Sequence, residues 1–337
     1  MARSSAPGLL IACAVLIGAL LLAFSLGRYP VGIGDLLEII TAKIVGHPSD
    51  VPAAAVNVLF QVRGPRVLTA VLVGAALAVA GTAFQGLFRN PLVSPDLLGA
   101  SSGAALGAVL GIYLSLGVLA VQVLAFIGGL AAVVAVYLIG STVRARDPIL
   151  VLVLTGVVIG ALLGAGVGLV KYIADPYNQL PAMTFWLLGS LAAANVTDLL
   201  PLFGPVALGT AVLIALRWRM NVMSLPEEEA RSLGVATGPL RVAIVAAATL
   251  TTSASVATAG IIGWVGLVVP HLARSLVGPD FARLLPTAAI LGGGYLLHID
   301  TLARSAAQVE IPLGILTAVV GTPFFIWLLA SMQRTWS

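Results

Sequence analysis

The residues that could carry covalent chemistry form one pattern, Gly-Ala-Ser-Ser-Gly at positions 99–103. It matches the G-x-S-x-G turn that presents a serine nucleophile in some hydrolases, with His271 or His298 as a possible base. That turn works only between a strand and a helix, whereas here it begins an apolar segment in which glycine recurs every four residues. Close helix packing is the favoured interpretation, and an intramembrane hydrolase is the alternative.

Metal and nucleotide chemistry find no support in the sequence. No cysteine–histidine cluster has metal-ligand spacing, and the single cysteine, Cys13, lies in an apolar run. A phosphate-binding loop needs glycines followed by a lysine, but the only lysines are Lys43 and Lys171, and both are assigned to external loops. The sequence therefore predicts no catalytic residue, metal or cofactor in this chain, so any energy must come from elsewhere.

The elements that must position the polar residues are apolar helices. Of the 337 residues 60% are hydrophobic and 9% are charged, against roughly 25% charged in soluble domains. The apolar runs do not alternate with polar residues, which disfavours a membrane β-barrel and favours an all-α integral membrane protein. The net charge of +4 does not indicate nucleic-acid binding, because no exposed basic domain carries it.

The whole chain, residues 1–337, reads as one transmembrane domain of about ten helices. The predicted spans are residues 8–26, 67–88, 96–116, 118–142, 148–170, 197–216, 239–259, 261–276, 284–302 and 313–332. Residues 181–194 are too short to cross and predict a half-helix, and residues 28–62 predict an external loop with an amphipathic piece at 35–44. The first run is interpreted as a retained span rather than a cleaved signal peptide.

The distribution of basic residues predicts the orientation. With both termini in the cytoplasm, eleven of the seventeen arginines and lysines face inward, as the positive-inside rule requires. This places residues 217–241 in a cytoplasmic loop whose edges, Arg217, Arg219 and Arg241, are interpreted as membrane anchors. Inside it, residues 224–234 have proline and acids at the start and glycine at the end, the signs of a capped helix. Such a helix could dock a separate ATPase.

An ion-coupled carrier is the competing transport mechanism. Ionisable residues in mid-span usually mark proton or ion pathways, but here almost every charge falls at a predicted helix end. Asp300, close to His298, is the nearest exception and is interpreted as an interfacial or packing residue. The pattern therefore favours transport energised by another subunit.

Four ordered motifs carry a family resemblance. They are RGPRVLTAVLVGAALAVAGTAFQGLFRNPLVSPDLLGASSGAALG at 63–107, LPEEEARSLGV at 225–235, GWVGLVVPHLARSLVGPD at 263–280 and IPLGILTAVVGTPFFIWLL at 311–329. Together they resemble the FecCD-type permeases, the membrane subunits of binding-protein-dependent ATP importers for iron chelates, heme and cobalamin. The resemblance implies a permease dimer, or a pseudo-dimer with a similar permease, in the cytoplasmic (inner) membrane. It also implies two cytoplasmic ATPase subunits that bind ATP and Mg, and an external substrate-binding protein.

The resemblance also implies roles for individual residues. Exposed arginines that would dock the binding protein through forked hydrogen bonds are Arg63, Arg66 and Arg304. Residues of the cytoplasmic gate are Asn90, Leu92, Arg146 and Asp147. The segment that would couple to the ATPase comprises Met223, Leu225, Pro226, Glu227, Glu228, Glu229, Ala230, Arg231, Ser232, Leu233 and Gly234.

The substrate is the least defined part of the resemblance. ADPYNQLPAMTFWLLGSL at 174–191 is similar to family members that import iron chelates and to some that import molybdate or tungstate. An iron–siderophore complex or heme is the expected substrate. Cobalamin and the oxyanions remain open, and an ion-coupled secondary transporter is the more distant alternative.

Overall fold

The computed structural model describes residues 6–27, 32–46, 51–143 and 148–333, which are helical with short turns and contain no strand. The helices are α1 (Ala6–Ser25), α2 (Ile33–Val45), α3 (Ala53–Asn57), α4 (Gly64–Leu87), α5 (Ala100–Tyr113), α6 (Val118–Thr142), α7 (Pro148–Ile173), α8 (Gln179–Leu187), α9 (Val196–Met223), α10 (Glu227–Ser232), α11 (Thr237–Ala259), α12 (Val265–Val277), α13 (Phe281–Ser305) and α14 (Leu313–Gln333). A π-helical segment, Val58–Arg63, joins α3 to α4, and a 3-10 helix, Pro95–Leu98, precedes α5.

Ten helical units account for the predicted spans. Six are long and apolar enough to cross a membrane, namely α1, the continuous unit from α3 to α4, α6, α7, α9 and α11. Three shorter apolar helices are α5, α12 and α14. The tenth is α13, which has 25 residues and packs mainly against α1, α4 and α12. The prediction of an all-α membrane bundle of about ten helices is confirmed.

Several predicted boundaries were wrong. Residues 53–63, assigned mostly to an external loop, are helical and extend α4 backwards. Helix α9 continues to Met223 and so includes Arg217 and Arg219, because charged residues can prolong a helix beyond the apolar layer. The half-helix is α8, which is only nine residues long.

Glycines set the closest contacts at the centre of the bundle. A β-carbon at Gly74 in α4 would lie 2.2 Å from the carbonyl oxygen of Gly292 in α13. One at Gly81 would lie 2.0 Å from the carbonyl oxygen of Gly266 in α12. Since no real β-carbon tolerates such distances, α4 can touch both helices only because these positions lack side chains.

Glycine recurs every four residues from 99 to 111 and again from 156 to 168, and these two glycine stripes behave differently. In α5, a β-carbon at Gly103 would lie 2.2 Å from a backbone oxygen of α6, and one at Gly107 would lie 2.1 Å from another. In α7, Gly156 packs equally closely against the 3-10 helix, but Gly164 and Gly168 meet nothing within 4 Å. Tight packing within this chain therefore holds for the first stripe and only for the beginning of the second.

Polar residues collect at the two opposite ends of the bundle. The arginine end is formed by the end of α1, the start of α4 and the end of α13, where Arg63, Arg66 and Arg304 lie. The loop end is formed by the end of α4, the end of α9, α10 and the start of α13.

Candidate functional site

At the arginine end, Arg66 is held by two carboxylates. Its Nε and Nη2 donate to Asp300 Oδ1 at 3.0 and 2.8 Å, and its Nη1 and Nη2 each donate to Glu310 at 2.9 Å. The other Asp300 oxygen lies 3.8 Å from Arg304 Nε. Asp300 is 1% exposed, whereas the Glu310 side chain is 31% exposed. These residues and Arg63 line a cavity of about 240 Å³.

The guanidinium groups of Arg63 and Arg304, the other two arginines of this cluster, hold the end of α1. Arg63 Nη1 donates to the carbonyl of Phe24. Arg304 donates to the carbonyl of Leu26 at 2.8 Å and to that of Ala23. The last carbonyls of a helix lack partners within the helix and carry a partial negative charge. The arginines therefore cap α1 and join it to α4 and α13.

The expectation that Arg63, Arg66 and Arg304 are exposed was wrong. Arg63 is 5% exposed, and the side chains of Arg66 and Arg304 are 13% and 11% exposed. Each is covered because acids or helix-terminal carbonyls of the same chain occupy its donors. The structure does bring the three arginines together, and their docking role stays a prediction.

At the loop end, the predicted gate residues Asn90 and Leu92 form one compact turn after α4. The Asn90 side-chain oxygen accepts the amide of Leu92 at 2.9 Å, and its carbonyl accepts the amide of Val93 at 3.3 Å. Asn90 is exposed and Leu92 is 39% exposed. The other two predicted gate residues, Arg146 and Asp147, lie outside the described residues.

The predicted coupling segment contains α10, which begins after Pro226 and ends before Gly234, whose φ is +79°. Glycine adopts this left-handed conformation without a steric penalty. Most of the segment is exposed, namely Leu225, Pro226, Glu228, Glu229, Arg231, Ser232, Leu233 and Gly234. Met223 and Ala230 are instead buried, at 4% and 0% exposed. The predicted coupling segment included buried and exposed residues alike, but only the exposed residues can contact a partner protein.

Glu227 faces back into the protein and anchors α10. Its carboxylate accepts from Arg231 at 2.6 Å, from the Thr237 hydroxyl at 3.0 Å and from Arg241 at 3.4 Å. Arg241 is 8% exposed, so its interpretation as a membrane-edge anchor was wrong. Burial alone would raise the pKa of Glu227, but the Thr237 hydrogen bond and the charges of Arg241 and Arg231 outweigh it and lower that pKa.

Asn221, two residues before the end of α9, joins that helix to the start of α13. Its side chain donates to Asp280 at 2.7 Å and accepts the amide of Phe281 at 2.9 Å. The hydrogen bond from the Ala282 amide, followed by that from Asn221, lowers the pKa of Asp280. The charged carboxylate therefore caps α13 at ordinary pH.

Three residues with structural roles at these ends were missed or underrated by sequence reasoning. Asp300 was noticed as an unusual acid, but its pairing with Arg66 was not. Glu310 gave no signal, because an acid in a connecting segment is ordinary. Arg89, whose Nε donates to the Met223 carbonyl at 3.1 Å, was one of the eleven inward-facing basic residues and was given no other role.

The serine pattern at 99–103 does not form a nucleophile turn. It follows a 3-10 helix rather than a strand, and the Ser101 hydroxyl donates to the Asp96 carboxylate. A nucleophilic serine would donate to a base positioned by a third group. The glycines here serve the contact with α6, as the packing interpretation predicted.

The fold, in which six of the described helices are long and apolar enough to cross a membrane, defines a multi-pass helical membrane protein. Residues 15–331 match the model of the FecCD transport family, so the chain belongs to that family. The molybdate import system permease MolB of Haemophilus influenzae is 39% identical over 313 residues, which cover 93% of this chain and 92% of MolB. The hemin transport system permease HmuU of Yersinia pestis is 42% identical over 289 residues, covering 82% and 84%.

A solved structure agrees with this assignment. It is an inward-facing conformation of a metal-chelate type ABC transporter, with a TM-score of 0.86 and 37% identity, covering 96% of this chain and 98% of that one. This chain is therefore a permease of the ABC importer class and belongs to a family of transport subunits.

Proposed function

We propose that this chain moves an iron chelate, either a siderophore complex or heme, into the cell across the cytoplasmic membrane, with its termini on the cytoplasmic side. Two permeases form the path, as two copies of this chain or as one copy with a similar permease. Two ATPase subunits bind ATP and Mg and drive the change of access, and an external protein delivers the substrate.

The observation that carries the transport mechanism is the grouping of polar elements at opposite ends. The gate turn and the exposed surface of α10 lie together at the loop end, where an ATPase would act on both. Leu225 and Leu233, 38% and 58% exposed, provide apolar contacts beside charged residues. This composition suits a partner interface with apolar anchors and a polar rim.

The arginine cluster supports docking of an acidic partner. The guanidinium of Arg66 already binds the partly exposed carboxylate of Glu310 through two parallel hydrogen bonds, the geometry that arginine offers to carboxylates in general. A glutamate of the binding protein would take the place of Glu310. Docking through Arg66 therefore includes an exchange of one carboxylate for another.

The iron-chelate assignment rests on the hemin permease relative and on the metal-chelate transporter structure. A molybdate or tungstate oxyanion is the second candidate, because the match to the molybdate permease extends over 93% of this chain. Cobalamin remains a further alternative within the same architecture. The same transport mechanism would serve all three substrates, because a binding protein selects the substrate.

The substrate test is elemental and mass analysis of the ligand held by the partner binding protein. That protein is isolated together with this permease from cells supplied with iron, molybdenum, tungsten and cobalt. Iron with an organic chelator or porphyrin supports the proposal. Molybdenum or tungsten without an organic ligand, or cobalt in a corrinoid, overturns the iron assignment and leaves the importer intact.

The energy source is tested separately in vesicles. The importer proposal expects no uptake from this chain alone, and uptake on addition of ATPase, binding protein and internal ATP. Uptake driven by an ion gradient in vesicles that contain only this chain would instead establish a secondary transporter.

A further inference from the structure

Arg89 occupies a backbone position that usually belongs to glycine. Helix α4 ends in a turn where the Asn90 amide donates to the Gln85 carbonyl at 3.1 Å and the Arg89 amide donates to the Gly86 carbonyl at 3.2 Å. These are the two hydrogen bonds of a Schellman motif, whose left-handed residue is most often glycine. Arg89 has a φ of +49°, which a side chain disfavours.

The side chain supplies a reason for that exception. The Nε of Arg89 donates to the carbonyl of Met223 at 3.1 Å. Met223 is the last residue of α9 and is buried, and α10 begins four residues later. A guanidinium at the end of a helix stabilises carbonyls that lack helical partners. Glycine at position 89 would keep the turn and lose this contact.

The contact joins the two elements that transport must coordinate. On one side, Arg89 directly precedes Asn90, whose side chain and carbonyl organise the turn as far as Val93. On the other side, Met223 leads through a three-residue connection into α10, which Glu227 fastens to α11. A displacement of the end of α9 therefore pulls directly on the backbone of the gate turn.

We propose that Arg89 is a positioning residue that transmits movement of the ATPase-coupling segment to the cytoplasmic gate. This inference rests on the proposed function, in which α10 receives force from an ATPase and the turn at Asn90 and Leu92 closes the path. Arg89 contacts neither ATP nor substrate in this scheme. It converts a shift of α9 into a shift of the gate turn.

The test uses the assembled complex, purified through a tag on this chain and placed in nanodiscs. Leu92→Cys, in a Cys13→Ser background, reports access to the gate through its rate of alkylation by a polar maleimide. The rate is measured without nucleotide and with Mg-ATP and vanadate. ATP hydrolysis is measured on the same samples.

Arg89→Gly is the central variant because it keeps the left-handed turn and removes only the side chain. We expect ATP hydrolysis to continue while the nucleotide-dependent change in alkylation rate falls about tenfold, the scale of one lost charge-assisted hydrogen bond. Arg219→Ala is the matched control, because Arg219 is an exposed arginine near the same end of α9. Its response should equal that of the parent.

Arg89→Lys keeps a hydrogen-bond donor at position 89, whereas Arg89→Met keeps a side chain of similar length without a donor. Lysine should retain part of the gate response and methionine should lose it, whether or not Arg89→Gly assembles. Equal responses of the parent, Arg89→Gly and Arg89→Met would overturn the role of Arg89. If the parent itself binds no ATPase or its gate does not respond to nucleotide, the proposed function fails instead.

Discussion

Replacing Asp300 with asparagine tests the interpretation of the arginine end as a structural clamp. The carboxylate is 1% exposed, accepts from Arg66 at 2.8 and 3.0 Å, and lies 3.8 Å from Arg304. Removing one partner of a buried ion pair costs about 3–5 kcal/mol. Asparagine keeps one acceptor oxygen and Glu310 still neutralises Arg66, so we expect a loss near the lower bound, about 3 kcal/mol.

Glu310→Gln is the matched control. It removes a charge from the same arginine, but the Glu310 side chain is 31% exposed, and ion pairs that retain water contact contribute about 1 kcal/mol or less. Purified variants are unfolded thermally in one detergent at one scan rate, because membrane bundles often unfold irreversibly. Asp300→Asn should lower the midpoint clearly more than Glu310→Gln does. Equal shifts would refute the reasoning.

A double variant sharpens this test. Asp300→Asn combined with Arg66→Met removes both members of the pair and leaves no unpaired buried arginine at position 66. Its loss should be smaller than the sum of the two single losses, because each single change leaves the other member of the buried pair with fewer partners. A double variant whose loss equals the sum of the two single losses would show that Asp300 and Arg66 do not depend on each other.

Three further predictions follow from the contacts. Gly103→Ala would place a methyl group 2.2 Å from a backbone oxygen of α6 and should cost about 1–3 kcal/mol of stability. Gly164→Ala is the control, because a methyl group there meets nothing within 4 Å and should leave thermal unfolding unchanged. Equal losses of stability in the two variants would contradict the packing argument. If Arg66 docks the binding protein, Glu310→Gln should strengthen that binding about tenfold by removing the competing carboxylate, and unchanged affinity in nanodiscs would count against the exchange. The neighbours of Glu227 lower its pKa, so its carboxylate stabilises α10 above the ordinary pKa of 4.5, and this stabilisation is lost as pH falls through the lower pKa of the folded protein. Amide protection of α10 against hydrogen exchange should therefore fall on acidification. Glu227→Gln should show that reduced protection already at neutral pH.

Apolar runs predicted the helices well where proline, glycine or a charge ends them. The predicted span 118–142 coincides with α6, and the predicted first span differs from α1 by one or two residues at each end. The errors lie at the ends of helices. The last turns of α9 continue through Arg217 and Arg219 because backbone hydrogen bonding favours helix there. Residues 53–63 are mostly apolar, and they were grouped with a loop only because polar residues precede them.

For the proposed functional residues, the sequence did not predict the partners that each side chain meets in the fold. Short motifs singled out the three arginines that the structure brings together, but not their burial, because the partners of Arg66 lie 234 and 244 positions away in the sequence. Nothing local indicates which distant acid an arginine will meet. The role of Glu227 was obscured in a similar way, since three successive acids look alike until the fold turns one of them toward Arg241.

The two ends of the bundle differ in how firmly they hold their helices, and this difference bears on where the molecule can move. At the arginine end, a buried acid and two arginines join α1, α4 and α13 through several charged contacts shielded from water. At the loop end, the hydrogen bonds that tie the end of α9 to α4 and α13 involve the exposed Arg89 and the half-buried Asn221. Low-cost openings concentrate where contacts are few and solvated. Displacement of the end of α9 at the loop end should therefore cost less than separation of α1, α4 and α13 at the arginine end.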